Sequence, residues 1–115
     1  GGFIKTSEDV SAPDIQFHFA PAYFVDHGMT RLAGNGYGLA ATLIKPFSIG
    51  EIKLKSSDIY EKPLIDPAFL SDERDMDTLV EGYKIGQEIF ESKYFKRYNN
   101  GYYKPEKKLE DTEEW

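Results

Sequence analysis

Residues 13–21 read Pro13-Asp14-Ile15-Gln16-Phe17-His18-Phe19-Ala20-Pro21, and they carry the clearest strand signal in the chain. Apolar Ile15, Phe17 and Phe19 alternate with Gln16, His18 and Ala20. Successive side chains of a β-strand point to opposite faces of a sheet. The alternation therefore predicts a strand with one apolar face and one face that carries polar chemistry, with His18 in the middle of the second face.

Three further segments favour short strands. Residues 1–6 are expected to form an edge strand, and residues 37–45 and 51–55 are both strand-like. The intervening residues 46–50 contain a Pro and a Gly, which suit a hairpin. We therefore expect 37–45 and 51–55 to pair in an antiparallel sheet with one solvated face. Two apolar side chains of the second strand should face the core: Ile52 and Leu54.

A helix is predicted over residues 71–92, with Ser71 as its N-cap. Its apolar or small positions recur with the helical period: Met76, Leu79, Val80, Tyr83, Gly86 and Phe90. Gly82 and Gly86 are four residues apart, so they should leave a bare patch where a strand or a helix can approach closely. With 115 residues, the chain has the usual size of one domain. We expect residues 1–115 to form a single α+β domain, an antiparallel sheet with one main helix packed on one face.

The composition excludes several classes of protein. The net charge is -6, and the whole acidic excess lies in residues 58–115, so no basic surface for nucleic acid is expected. There is no Cys and there are only two His, which disfavours zinc sites and rules out thiol chemistry. The longest apolar run, residues 39–44, is too short to cross a membrane. We expect a cytoplasmic protein.

One short motif and the two histidines need separate consideration. Gly36-Tyr37-Gly38-Leu39-Ala40-Ala41 fits a loose dinucleotide-loop pattern, but Pro46 follows too soon for a helix, so we interpret residues 36–41 as a Gly-rich entry to a strand. No nucleophile elbow is present, and His27 is most simply a solvated loop residue. Two hypotheses remain open for His18: it is a half-buried imidazole that donates to a neighbouring carbonyl, or it is a ligand-facing imidazole.

Three segments taken in order resemble the glucose-methanol-choline (GMC) oxidoreductases: residues 13–19, residues 45–56 and residues 63–71. The likeness covers roughly residues 1–95 and includes Asp75 and the helix with Leu79 and Gly82. It is a composite of spaced motifs, so it is far more specific than one short pattern. One departure is Ile49, which stands where the family hairpin usually has Arg or Lys.

The resemblance implies that the chain is a piece of the substrate-binding domain of a choline dehydrogenase-like alcohol oxidoreductase. FAD is then the cofactor of the parent enzyme, and its binding site is not contained in this chain. By resemblance to choline-oxidising members, His18 faces the substrate pocket, binds a small alcohol and stabilises the developing alkoxide. The family's flavin loop and its catalytic His-Pro-Val-Gly-Thr segment are missing, so the fragment should hold no catalytic residue and be inactive alone.

Two other functions stay open from the residues alone. The chain could be a small stand-alone ligand- or protein-binding module that uses Gln16 and His18, or an interaction domain that presents the tyrosines of its tail. Residues 111–115 resemble the start of a helix, which suggests a truncated chain. If part of the sheet is left uncovered, the fragment is expected to self-associate.

Overall fold

The computed structural model describes residues 1–105, which form five short strands and two helices. The strands are β1 (Gly2–Ile4), β2 (Ile15–Ala20), β3 (Gly38–Leu43), β4 (Glu51–Lys53) and β5 (Leu64–Asp66). The helices are α1 (Glu73–Glu91) and α2 (Lys93–Lys96), and one 3₁₀ turn covers Asp26–Gly28. Strands β1, β2 and β3 form one antiparallel sheet with β2 in the middle, whereas β4 and β5 form a second sheet. The predicted α+β class is confirmed.

The central sheet carries α1 on one of its faces, as the sequence predicts. Ile15 and Phe17 point to that face and are only 0% and 5% exposed. Their neighbour His18 is exposed on the opposite face, where it stands across from Ala40 of β3. The predicted separation of apolar and polar faces along β2 is therefore confirmed, and β1 is the edge strand expected from residues 1–6.

The first turn of α1 differs slightly from the prediction. Asp72 is the N-cap in place of Ser71, since its carboxylate accepts the backbone N–H of Arg74. Met76 does not belong to the buried stripe, because it is 42% exposed. The buried face of the helix begins with Asp75, one residue before Met76. Adjacent helical residues point about 100° apart, so Met76 is turned away from that face.

The helix meets the sheet through its two glycines. A Cβ placed on Gly82 would lie 3.0 Å from Cγ1 of Ile15, and one on Gly86 would lie 3.4 Å from Cε1 of Phe17. The predicted bare patch is thus confirmed, and it is where the helix backbone approaches β2. A glycine-free helix could not come this close to the buried side of the strand.

Replacement of Gly82 by Ala should leave the protein less stable than the same change at Gly86, by about 1 kcal/mol. Both changes favour the helix by about 1 kcal/mol. At Gly82 the added methyl meets Ile15, which is fully buried and cannot move aside, whereas the space at Gly86 allows ordinary contact. Urea unfolding of the full-length protein measures the difference. Equal stabilisation by the two variants would contradict this account of the helix contact.

The hairpin predicted between residues 37–45 and 51–55 is wrong. Strand β4 pairs with β5, with Ile52 opposite Ile65, and it makes no ladder with β3. The prediction that two side chains of this strand face the core is also wrong, because Ile52 is 73% exposed and Leu54 is 87% exposed.

Residues 46–50 explain the error, because they turn away from β3 toward the start of α1. The backbone N–H groups of Phe47 and Ser48 donate to the carboxylate of Asp75 at 2.7 and 2.9 Å. Because of this long-range contact, the chain leaves the direction of β3 at residues 46–50, and β4 begins outside the central sheet. No sequence signal predicts β5, since its three residues stand between two prolines.

The second sheet and its connection, residues 49–70, project as an arm with little covering. Several large apolar side chains of the arm are exposed: Ile49, Ile52, Leu54, Ile59, Tyr60, Ile65 and Phe69. The radius of gyration of the chain is 18.0 Å, whereas a compact domain of this length has about 13 Å. The chain therefore presents much apolar surface that another protein body could cover.

The helix start predicted at residues 111–115 lies outside the described residues. That residues 1–115 constitute a single domain stays a prediction.

Candidate functional site

One face of the central sheet is uncovered, and we call it the open face. Cross-strand pairing places its members together, because Phe3 stands opposite Gln16, Gln16 opposite Thr42, and His18 opposite Ala40. All except Gln16 are exposed, and Gln16 is half-buried. The open face combines one aromatic ring, one imidazole and two further polar side chains on a nearly regular strand surface. It is the face predicted from the sequence to carry polar chemistry.

His18 occupies the middle of the open face on the middle strand. It is exposed, and within residues 1–105 its imidazole has no hydrogen-bond or ion-pair partner. The alternative hypothesis, in which a half-buried His18 donates to a neighbouring carbonyl, is therefore wrong for the described part of the chain. An imidazole in this position has both ring nitrogens available to donate to or accept from a bound molecule.

Strand β2 holds His18 on a firm support. At its start Asp14, 7% exposed, accepts the backbone N–H of Thr6 at 2.9 Å and the hydroxyl of Thr6 at 2.6 Å. The backbone of Asp14 also bonds to Ile4 and Ile44 on either side. Together with buried Ile15, these bonds fix the strand from both neighbours. A side chain on such a strand is positioned more accurately than one on a loop.

The other His and its nearby acids form no catalytic group. His27 is exposed in the 3₁₀ turn, as expected of a solvated residue, and Asp26 beside it accepts the hydroxyl of Thr30 at 2.9 Å. Both carboxylate oxygens of Asp14 are engaged by Thr6. Among residues 1–105, neither His is thus paired with a carboxylate as a Ser-His-Asp site requires.

The loose dinucleotide motif at residues 36–41 enters a strand, since Gly38 is the first residue of β3. This confirms our interpretation of the motif. A dinucleotide loop needs a following helix whose free N–H groups bind the pyrophosphate, and β3 offers none. The residues of this motif therefore do not fit a flavin nucleotide.

Residues 1–105 contain neither a cluster of metal ligands nor a helix that could cross a membrane. No group of three or more His, Cys, Asp or Glu side chains is close enough to hold a metal ion in this part of the chain. None of the helices formed by these residues combines the length and the apolar character needed to cross a bilayer.

A cavity of about 270 Å³ lies on the opposite side of the sheet from His18. It is enclosed by β3, α1 and the segment 98–105, and its wall includes Tyr37, Gly86 and Phe90. The hydroxyl of Tyr37 is buried and has no hydrogen-bond partner among the described residues. No local sequence pattern predicts this cavity, because the tail was recognisable only by its tyrosines.

Asp75 is the most buried charged side chain among the described residues, at 1% exposed. Burial alone would raise the pKa of this carboxyl, but hydrogen bonds from Ser48 and from the N–H of Phe47 outweigh that effect and lower the pKa. Beside it, the guanidinium of Arg74 binds Asp72 through two hydrogen bonds of 2.8 and 2.6 Å and lowers the pKa of Asp72 to about 2. The carboxylate of Asp75 serves the fold, since it attaches residues 47 and 48 to α1, whereas the Arg74–Asp72 pair lies within the first turn of the helix.

Comparison with known proteins gives a consistent picture. The family model of the GMC oxidoreductases matches residues 46–115. The chain is 46% identical over 101 residues to an alcohol dehydrogenase [acceptor] of Pseudomonas putida, which covers 84% of this chain and 18% of that protein. It is 37% identical over 90 residues to the mitochondrial choline dehydrogenase of Homo sapiens, covering 78% of this chain and 15% of that protein.

A third relative matches nearly the whole chain. The oxygen-dependent choline dehydrogenase of Staphylococcus xylosus is 32% identical over 114 residues, which is 99% of this chain and 20% of that protein. The chain thus spans about a fifth or less of the length of the curated relatives it matches.

Proposed function

Because this chain belongs to the GMC oxidoreductases, we propose that it is part of the substrate-binding domain of a flavin-dependent alcohol dehydrogenase or oxidase. The observation that carries the proposal is the position of His18. Its imidazole stands on the open face of a firmly held sheet, without a partner in the described chain and turned away from the helix. A small alcohol bound against this face would meet the imidazole directly.

The role proposed for His18 follows from its chemistry. Oxidation of an alcohol removes the hydroxyl proton, so negative charge develops on the oxygen. A ring N–H of His18 can donate a hydrogen bond to that oxygen, and a donor fixed before the reaction stabilises the charge without reorganising. The strand beneath it keeps the ring in place, which favours a productive orientation of the alcohol. His18 therefore binds the substrate and stabilises the alkoxide in the proposed enzyme.

We assign the cofactor, FAD, to the part of the parent protein outside this chain. When bound, FAD accepts a hydride from the alcohol carbon. The dinucleotide-like residues 36–41 of this chain lead into β3 and do not fit the cofactor. The uncovered apolar arm and the open face support the proposal, because they offer surfaces to a larger protein body.

The chain alone should bind no flavin and oxidise no alcohol, because it supplies only the substrate-facing surface. The purified 115-residue chain is mixed with FAD and passed through a gel-filtration column. We expect colourless protein, whereas the full-length protein should elute yellow and oxidise a primary alcohol. A stoichiometric yellow complex of the short chain would contradict the proposal. The same column reports whether the uncovered surfaces make the chain self-associate.

A further inference from the structure

The residue nearest to His18 across the sheet is Ala40. The two are directly opposed in the antiparallel register of β2 and β3, and both are exposed on the open face. Directly opposed residues of an antiparallel pair have Cβ atoms about 4.5–5.5 Å apart. A molecule bound at the imidazole must therefore come within van der Waals reach of the side chain at position 40.

The cross-strand pairs on the two sides of His18 differ in the size and polarity of their side chains. On one side, the next cross-strand pair is Gln16 with Thr42, and both side chains are polar. On the other side, the next pair is Ala20 with Gly38, which adds little volume. Ala40 lies between these pairs, beside the ring. Its single methyl group leaves space beside the imidazole on the open face.

Building on the function proposed above, we infer that Ala40 is a specificity-determining residue that sets how bulky an alcohol the enzyme accepts. The site with Ala40 admits primary alcohols that are branched near the reacting carbon. A larger side chain at this position fills the space beside the imidazole and leaves room only for narrow, unbranched chains. The imidazole itself is not changed by this substitution.

The test compares two primary alcohols of equal carbon number, 1-hexanol and 2,2-dimethyl-1-butanol, which is branched at the carbon beside the reacting one, with the full-length holoenzyme. Their kcat/KM values are measured, or their inhibition constants against a better alcohol substrate where turnover is slow. In Ala40→Leu the preference for the unbranched alcohol should rise by about tenfold or more, because one or a few methylenes in a pocket discriminate on that scale. Ala40→Val, which keeps a strand-favouring side chain, should shift the preference in the same direction.

Two control variants separate size from other effects. Ala40→Ser changes polarity with almost no change in volume, and it should keep the preference within about twofold. Thr42→Leu places the same larger side chain on the same strand and the same face, but opposite Gln16. It should shift the preference much less than Ala40→Leu. If Ala40→Leu and Ala40→Val both leave the preference unchanged, or if Thr42→Leu shifts it equally, the inference is wrong.

Failure of this inference can be told apart from failure of the proposed function. If His18→Ala lowers kcat/KM for both alcohols while the variants of Ala40 keep the wild-type preference, the imidazole faces the substrate and the inference about Ala40 alone is overturned. If His18→Ala has no effect on either alcohol, the proposed site itself is overturned.

Discussion

Replacement of His18 by Ala in the full-length enzyme is expected to lower kcat/KM for its alcohol by about 10²–10³-fold, the usual cost of removing one donor to a developing oxyanion. The loss should appear in kcat as well as in kcat/KM, since the hydrogen bond strengthens as the alkoxide forms. Protein stability should hardly change, because His18 is exposed and has no partner in the described chain. Steady-state kinetics with a primary alcohol, together with a thermal melt, measures both quantities.

The second His of the chain provides the matched control. His27 lies in an exposed turn with a φ of 53°, so His27→Asn is the suitable variant, because Asn tolerates this left-handed backbone conformation. This variant should retain kcat and KM within about twofold. If His18→Ala also retained both, His18 would be an ordinary surface residue.

Replacement of Asp75 by Ala should cause the largest structural effect. The change removes the acceptor of two backbone N–H groups, at Phe47 and Ser48, in a position where Asp75 is 1% exposed. We expect the Tm of the full-length protein to fall by about 5 °C or more. Amide hydrogen exchange at Phe47 and Ser48 should become at least about tenfold faster, because these two N–H groups lose their acceptor on α1.

The control for Asp75 is Glu73→Ala, which also removes an acid from the first turn of α1 but is exposed. Its effect on Tm should stay within about 2 °C, which reflects only the helix dipole. An equal loss in both variants would show that charge near the helix start, and not the bonds to Phe47 and Ser48, accounts for the effect.

The contribution of Asp75 should also depend on pH. The pKa of the folded carboxyl lies below the ordinary value of 3.8, so the carboxylate stabilises the fold fully above that value. This stabilisation is lost as pH falls through the lowered pKa. The difference in Tm between wild type and Asp75→Ala should therefore be constant near neutral pH and shrink at pH values below about 4.

The sequence predicted those parts of the fold that local periodicity determines. Strand β2 was recognisable because Ile15 and Phe17 alternate with polar neighbours, and α1 because its small and apolar residues follow the helical period. The close approach at Gly82 followed from two glycines four residues apart. In each case the signal lies within a few residues of the element that it specifies.

The parts that failed depend on contacts between distant residues. The course of residues 46–50 is set by Asp75, which is 27 to 28 positions away in the sequence. A local hairpin signal from Pro46 and Gly50 could not reveal this partner. The cavity beside Tyr37 was missed for the same reason, since it forms only where the tail meets α1 and β3. Both arise from tertiary packing and leave no periodic pattern.

The candidate site was predictable in part. Alternation along β2 placed His18 on the non-apolar face, but it carried no information about what lies across from it. The register with β3 supplies Ala40 as the opposing residue. This register was not predicted from the sequence, because β3 was expected to pair with residues 51–55.

We propose that the open face lines the substrate chamber of a larger flavoprotein. A crystal structure of the full-length protein with a bound alcohol would show what this face contacts. We expect a ring nitrogen of His18 within about 2.6–3.2 Å of the alcohol oxygen, with the cofactor held on the far side of the alcohol by a part of the full-length protein outside this chain. An open face that is exposed to solvent or packed against a helix, with the alcohol bound elsewhere, would contradict it.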